Sequence, residues 1–328
     1  MFFSSLSSIE YPALMITGEH IQQATARIAG YVRRTPIIEL EPSAWEIEGR
    51  LALKLELLQH TGSFKPRGAF NTILSAGEIA QAGVIAASGG NHGAAVAYAA
   101  RQLGHAAEIF VPESTPQVKL ERLRGYGARV TMIGASYAEA YAASRVRATA
   151  TGALQIHAYD EPDVIAGQGT LAQELDAQMT EVDSVIVAVG GGGLVGGIAA
   201  WFRGRAKVIA VEPERCPTLH RAMEAGEPVD VEVGGVAADS LGARRIGGLA
   251  FELARRYVDR VLLVSDDEIR RSQWALWDNL RVLAEPGGAT ALAALRSGKY
   301  RPAPSERVAA IVCGGNVDPA KVGERGSA

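Results

Sequence analysis

Short runs of almost unbroken apolar residues alternate along the chain with longer Ala-rich stretches. The short runs read as strands buried on both faces of a parallel sheet, because such strands have no polar face to show. Strands are expected at Leu51–Glu56, Val84–Ala87, Ala107–Val111, Arg129–Ile133, Ser184–Val189, Lys207–Val211, Arg260–Val264 and Val308–Val312. Helices fill the gaps. One is expected to start at Ser265, where Glu268 three residues on completes a capping-box pattern. Ile269, Leu276, Leu280 and Leu283 then share a face, and the helix is expected to run to Glu285–Pro286, since a residue before proline disfavours helical geometry. Strand–helix alternation on this scale predicts an α/β protein with helices on both sheet faces. No internal repeat or flexible linker interrupts it, so any division into lobes must come from chain crossings.

Composition narrows the function. The 328 residues are 48% hydrophobic and 21% charged, with a net charge of -3. That is a globular chain with no basic excess, so nucleic acid and anionic membranes are not expected partners. Cys216 and Cys313 are the only cysteines. A disulfide framework is not expected, and a reducing cytoplasm fits. The segment from Met1 to Glu10 lacks the basic start of a signal peptide. Val322–Ala328 reads as a frayed tail. The apolar run Val185–Phe202 approaches the length of a membrane span, but its consecutive glycines read instead as a turn between strand and helix.

Three loops carry candidate chemistry. Lys65 lies in Thr61-Gly62-Ser63-Phe64-Lys65-Pro66-Arg67-Gly68. An aromatic neighbour, a cation two residues on and a stiffening proline suit a lysine of lowered pKa, able to form a Schiff base. The other reading is an exposed lysine in a Gly/Pro loop. Ser88-Gly89-Gly90-Asn91-His92-Gly93 joins a strand to an Ala-rich helix, Ala94–Leu103, and free amides at a helix N-terminus bind anions. Gly190-Gly191-Gly192-Gly193-Leu194 repeats that geometry with four glycines, whose backbone can approach a phosphate closely. The same stretch also supports a rival. Gly191, Gly193 and Gly196 satisfy the dinucleotide fingerprint, and Glu212 stands where a ribose-binding acid would. Cys313, at the end of the last strand, lies where α/β sheets place ligands, or is a buried structural thiol.

Together these segments resemble the fold-type II pyridoxal-phosphate enzymes of the serine/threonine dehydratase and serine racemase family. Ser63–Ala69, Ser88–Gly93, Val164–Thr170, Gly190–Leu194 and Cys313–Asn316 occur in the family's order. The resemblance implies a two-lobed fold like that of tryptophan synthase β, built on open, twisted, mostly parallel sheets. Residues 1–82 and 161–328 would form the large cofactor-binding lobe, and residues 83–160 a small mobile lobe. Lys65 would hold pyridoxal phosphate and act as base. Phe64 would pack near its ring, Asn91 would bond its 3′-oxygen, and Gly190, Gly191, Gly192, Gly193 and Leu194 would bind its phosphate. Cys313 would face the pyridine nitrogen, with Glu285 orienting nearby. Ser88, Gly89, Asn91 and His92 would hold the substrate carboxylate. A small amino-acid substrate and a homodimer are implied as partners.

The implied reaction is β-elimination. Lys65 removes the α-proton, the β-hydroxyl leaves, and the resulting enamine hydrolyses to a 2-oxo acid and ammonia. L-Threonine and L-serine are the model substrates. An amino-acid racemase or a β-replacement synthase of the same fold is the alternative, and a nicotinamide dehydrogenase the distant one. A neutral thiol at Cys313 favours prompt loss of a β-leaving group, because it does not hold a proton on the pyridine nitrogen. Racemases resembling this pattern carry a serine where this chain has Gly89, so a second acid/base is missing. Tyr159 either lines the pocket for the substrate side chain, its hydroxyl offering room for a polar or larger β-substituent, or packs at a lobe hinge. Glu212 matches a glutamate that binds a cation in relatives, while Thr218 stands where a second carboxylate would. The cation site is thus incomplete, and Glu212 is either a ligand or structural.

Overall fold

The computed structural model describes residues 16–320, so the readings made on Met1–Glu10 and Val322–Ala328 lie outside the described residues. In chain order the strands are β1 (Ile37–Glu39), β2 (Arg50–Lys54), β3 (Val84–Ala87), β4 (Ala107–Val111), β5 (Arg129–Met132), β6 (Leu154–Gln155), β7 (Ser184–Ala188), β8 (Lys207–Pro213), β9 (Arg260–Val264) and β10 (Arg307–Ile311). They form a six-stranded sheet, ordered β1-β2-β10-β7-β8-β9, and a four-stranded sheet, ordered β5-β4-β3-β6. All pairings are parallel except β1 with β2.

The helices are α1 (Gly18–Ile28), α2 (Lys65–Ser75), α3 (Asn91–Gln102), α4 (Gln117–Gly125), α5 (Tyr137–Thr151), α6 (Pro162–Gln178), α7 (Gly193–Phe202), α8 (Thr218–Ala225), α9 (Ala238–Leu241), α10 (Gly248–Tyr257), α11 (Asp266–Leu280) and α12 (Pro286–Arg296). They cover both sheet faces, which is why Ile186, Ile209 and Ala310 are fully buried in mid-sheet. The run Val185–Phe202 divides into β7, a glycine turn and α7. Among the described residues no helix is long and apolar enough to cross a membrane.

Strand positions agree with the apolar pattern to within two residues at each end, and two short strands, β1 and β6, were not anticipated. The helix begun at Ser265 has its capping box, but it stops at Leu280 instead of Glu285. Arg281 turns into the left-handed region at φ 54, and Glu285 becomes the N-cap of α12. Leu283 is therefore in the connection between two helices.

Two devices fix the start of α2, and with it Lys65. The first is close packing against α6. A Cβ at Gly167 would meet Arg67 O at 2.6 Å, and one at Gly68 would meet Gln168 Nε2 at 2.3 Å. The motif Val164–Thr170 is thus the surface on which α2 rests. The second is a buried ion network. Arg67 donates from Nε and Nη2 to the two Glu56 oxygens, from Nη2 to Glu174 at 3.0 Å, and from Nη1 to Thr170 Oγ1 at 3.3 Å. Lys54 bonds Glu174, Thr35 O at 2.8 Å and Gln178 Oε1 at 2.7 Å. Two cations face two carboxylates across β2, α2 and α6, and Lys54, Glu56 and Arg67 are essentially inaccessible to solvent.

Removing one member leaves its partners buried and unpaired. Arg67→Met is expected to destabilise the protein by ~3–5 kcal/mol, the cost of breaking a buried pair. A drop in the chemical-denaturation midpoint checks this. An unchanged midpoint would show that the network does not hold α2.

Candidate active site

Lys65 is the first residue of α2, and Pro66 occupies the first helical turn, where its missing N–H leaves nothing unpaired. The preceding loop is pinned to the end of β10. Phe64 N donates to Cys313 O at 3.2 Å, Ser63 bridges Gly314, and Gly315 N donates to Gly62 O at 2.9 Å. Lys65 Nζ donates to Ala158 O at 2.7 Å and lies 5.1 Å from the centre of the Phe64 ring. The side chain stands in a cleft, partly accessible yet surrounded by protein. Burial lowers its pKa to about 8. Arg67 was expected to contribute to that lowering. It does not, because its guanidinium faces Glu56 and Glu174 on the other side of the helix start.

The tetraglycine loop follows β7. α7 begins at Gly193, so the amides of Gly193, Leu194 and Val195 have no intrahelical acceptor, while Gly196 N already bonds Gly192 O. Gly192 needs its φ of 95°, a left-handed value that suits glycine. At Gly191 a Cβ would strike the Tyr159 ring at 2.2 Å. The result is a bare-backbone cradle at a helix N-terminus, suited to a compact anion such as phosphate.

The second loop, Ser88–Gly93, opens α3 from the opposite sheet. Ser88 Oγ accepts from Gly90 N at 3.2 Å, and Gly89 is lined by Thr115 and Val111. Asn91 Nδ2 donates to Glu285 Oε1 at 2.7 Å, and its Oδ1 accepts from Asn316 at 2.6 Å. Burial raises the Glu285 carboxyl to about 7, against the lowering effect of the Asn91 bond. Gly314 makes room for it, since a Cβ there would meet Glu285 Oε1 at 2.1 Å. Cys313 Sγ donates to Gly287 O at 3.4 Å, and burial pushes its pKa far up, so the thiol stays neutral.

The structure brings Phe64, Lys65, Asn91, Glu285, Cys313 and both glycine loops to one cleft, at the carboxyl ends of β10, β7 and β3. Three further residues named from the sequence have side chains engaged by the protein itself. His92 turns into the protein, where Nε2 donates to Ile156 O at 3.1 Å, and burial followed by the Lys65 charge lowers its pKa to about 3. The Tyr159 hydroxyl donates to Arg245 O at 3.2 Å, so the residue offers its ring to the cleft and not its oxygen. Glu212 is buried and accepts from Leu219 N at 2.7 Å and His220 N at 2.8 Å. It caps α8 from β8, while Thr218 Oγ1 donates to Ala243 O at 2.8 Å. Among the described residues no three His, Cys, Asp or Glu side chains are grouped to hold a metal ion.

Other participants had weaker signals. Asn316 closes the Cys313–Asn316 motif, but its bonds to Asn91 and to Thr61 O at 2.8 Å depend on partners far away in sequence. Arg122 of α4 also donates to Thr61 O, and Lys119 of α4 pairs with Asp239 of α9. Thr61 itself is held at φ 60, a costly conformation for a β-branched residue. Ser63 Oγ is buried with no partner beside the lysine loop. No sequence pattern marked Ala158, whose contribution is a carbonyl.

Comparison with known proteins bears on this site. Residues 28–314 match the family described as pyridoxal-phosphate dependent enzymes. An L-threonine ammonia-lyase of Geobacter sulfurreducens is 38% identical over 91% of this chain and 75% of its own length. The catabolic L-threonine dehydratase of Escherichia coli is 35% identical over 95% of this chain and 96% of its own. Among solved structures, maize serine racemase superposes with a TM-score of 0.88 at 33% identity, covering 94% of this chain and 96% of its own.

Two outcomes are expected from the geometry. Reductive labelling of Lys65 by an aldehyde in cofactor-free protein should rise through a midpoint near pH 8. An ordinary lysine titrates at about 10.4, and a midpoint there would show that the amine is not buried as described. Gly191→Ala should weaken pyridoxal-phosphate binding by at least about tenfold, because the loop must shift off the Tyr159 ring. Absorbance titration reads the loss.

Proposed function

The chain belongs to the pyridoxal-phosphate dependent enzymes, and from that premise we propose that it is an ammonia-lyase that eliminates water from a β-hydroxy amino acid to give an enamine, whose imine tautomer takes up water and releases ammonia, leaving a 2-oxo acid. The names of its relatives support threonine as the reference substrate. The observation that carries the reading is Lys65: a buried amine of lowered pKa, with one hydrogen bond, beside a neutral thiol.

The residues present fit the cofactor. Lys65 Nζ would be the attachment point, the Gly190–Leu194 cradle would hold the phosphate, and Phe64 and Cys313 would lie near the ring. Bound pyridoxal phosphate supplies an electron sink for negative charge at the substrate Cα. The Lys65 amine would take the α-proton as general base. A pKa near 8 leaves a useful fraction of neutral amine at physiological pH, close to the optimum for a general base. Cys313, a buried neutral thiol, would offer no carboxylate to hold a proton on the ring, which would favour elimination of the β-hydroxyl. Ser88, Gly89 and Asn91 present the N-terminus of α3 to the substrate carboxylate. The His92 side chain, bonded inward, fixes that turn.

The four-stranded sheet and its helices, residues 83–160 in this reading, close over substrate held against the rest of the chain. The contacts of Lys119 with Asp239 and of Arg122 with Thr61 O support such a closed arrangement. Serine as a second substrate, a homodimer and a cytoplasmic setting complete the reading. Two buried free cysteines suit a reducing compartment.

The test is 2-oxo acid release by the cofactor-loaded protein on L-threonine, L-serine and bulkier β-hydroxy amino acids. Lys65→Ala should lower the rate by at least about 10⁴-fold, since both the attachment point and the base are lost. Release of 2-oxo acid from none of these substrates would refute the proposal. Racemisation is the second outcome to measure, because of the likeness to serine racemase. With no side chain at Gly89 to return a proton from the other face, L-serine should keep its configuration.

A further inference from the structure

A row of aromatic rings leads from the lysine cleft to the surface. It begins at the segment whose Ala158 carbonyl holds Lys65 Nζ. His157 and Tyr159 flank that carbonyl, their rings 4.8 Å apart and edge to face. Tyr141 of α5 meets His157 at 5.7 Å, again edge to face, and Tyr137, one turn earlier, stacks on Tyr141 at 6.0 Å with an interplanar angle of 9°. Tyr137 is 48% exposed although it is the outermost member of an aromatic cluster.

We infer that this row is the pocket for the substrate's β-substituent and that the preferred substrate is a β-hydroxy amino acid bearing an aromatic or similarly large apolar group at Cβ. The inference rests on the ammonia-lyase reading and specifies its substrate class.

The chemistry of the row favours apolar over charged groups. The Tyr159 hydroxyl is bonded to Arg245 O, so its ring is what remains to offer. His157 Nδ1 accepts from Tyr159 N at 3.3 Å and Asp160 N at 3.0 Å, which puts the ring proton on Nε2. Burial lowers the His157 pKa, with Asp160 opposing and Lys65 reinforcing, so the ring is neutral. Both oxygens of Asp160 accept from backbone amides, Gly248 N and Leu249 N, and Glu161 Oε2 accepts from His157 N. The row therefore presents neither a cation for an anionic substituent nor a free carboxylate for a cationic one. Aromatic faces and edges at these spacings are complementary to another ring.

The experiment follows release of the 2-oxo acid by the holoenzyme and determines both steady-state constants on L-threonine, L-serine, 3-phenylserine and 3-hydroxyaspartate. The expected result is a kcat/KM for 3-phenylserine about tenfold or more above that for threonine, within the range a matched apolar pocket provides, and carried mainly by KM. Tyr141→Ala should lower the phenylserine-to-threonine ratio by about tenfold, and Tyr141→Phe should restore it, because the ring and not the hydroxyl is needed. Should Tyr141→Ala fail to fold, the half-exposed Tyr137 supplies the second variant, Tyr137→Ala, read by the same ratio. A preference for threonine that neither variant changes would overturn the aromatic pocket and leave the lyase reading standing. A preference for 3-hydroxyaspartate would overturn it likewise. No 2-oxo acid from any of the four would remove the lyase reading and this inference together.

Discussion

The position of Lys65 depends on a set of charges that never touch the substrate. Arg67, two residues beyond the lysine, joins Glu56 and Glu174, and Glu174 in turn joins Lys54. Four charges in an almost waterless interior are tolerable only because they cancel and because their remaining donors find Thr35, Thr170 and Gln178. The network spans β2, α2 and α6, so it fixes the angle at which α2 leaves the sheet. That angle sets where the lysine stands relative to the end of β10.

Around that lysine the protein builds an environment of few charges. His92 is neutral because it is buried, Cys313 keeps its proton, and Glu285 sits near its titration point. The positive potential comes mainly from backbone, at the N-termini of α3 and α7. This division of labour matters for a reaction that builds negative charge on carbon. Fixed dipoles stabilise the anion without donating a proton to it.

Much of this was legible in the chain. Strands buried on both faces leave apolar runs, and glycine turns before helices leave unmistakable punctuation, so the large sheet and both anion loops could be read directly. The losses have physical causes. β1 and β6 are too short for any periodicity. The end of α11 turned on Arg281 adopting a left-handed conformation, which its side chain does not announce. The ion network was invisible because Glu174 lies more than a hundred residues from both Lys54 and Arg67, and the sequence suggested for Arg67 a role on the lysine that its partners take away. The aromatic row escaped for a related reason. Tyr137 and Tyr141 are a helical turn apart in sequence, but only the fold brings them to His157 and Tyr159.

The buried charges also constrain what the chain can become. An apolar cluster of equal volume is often as stable as a buried ion network. Reaching it from here would require Lys54, Glu56, Arg67 and Glu174 to change together, since any one replacement strands the others. Evolution by single substitutions therefore has no downhill route out of the arrangement. The network is a historical commitment: descendants of this chain can alter their loops and pockets while the charged floor beneath the lysine stays where it was first laid.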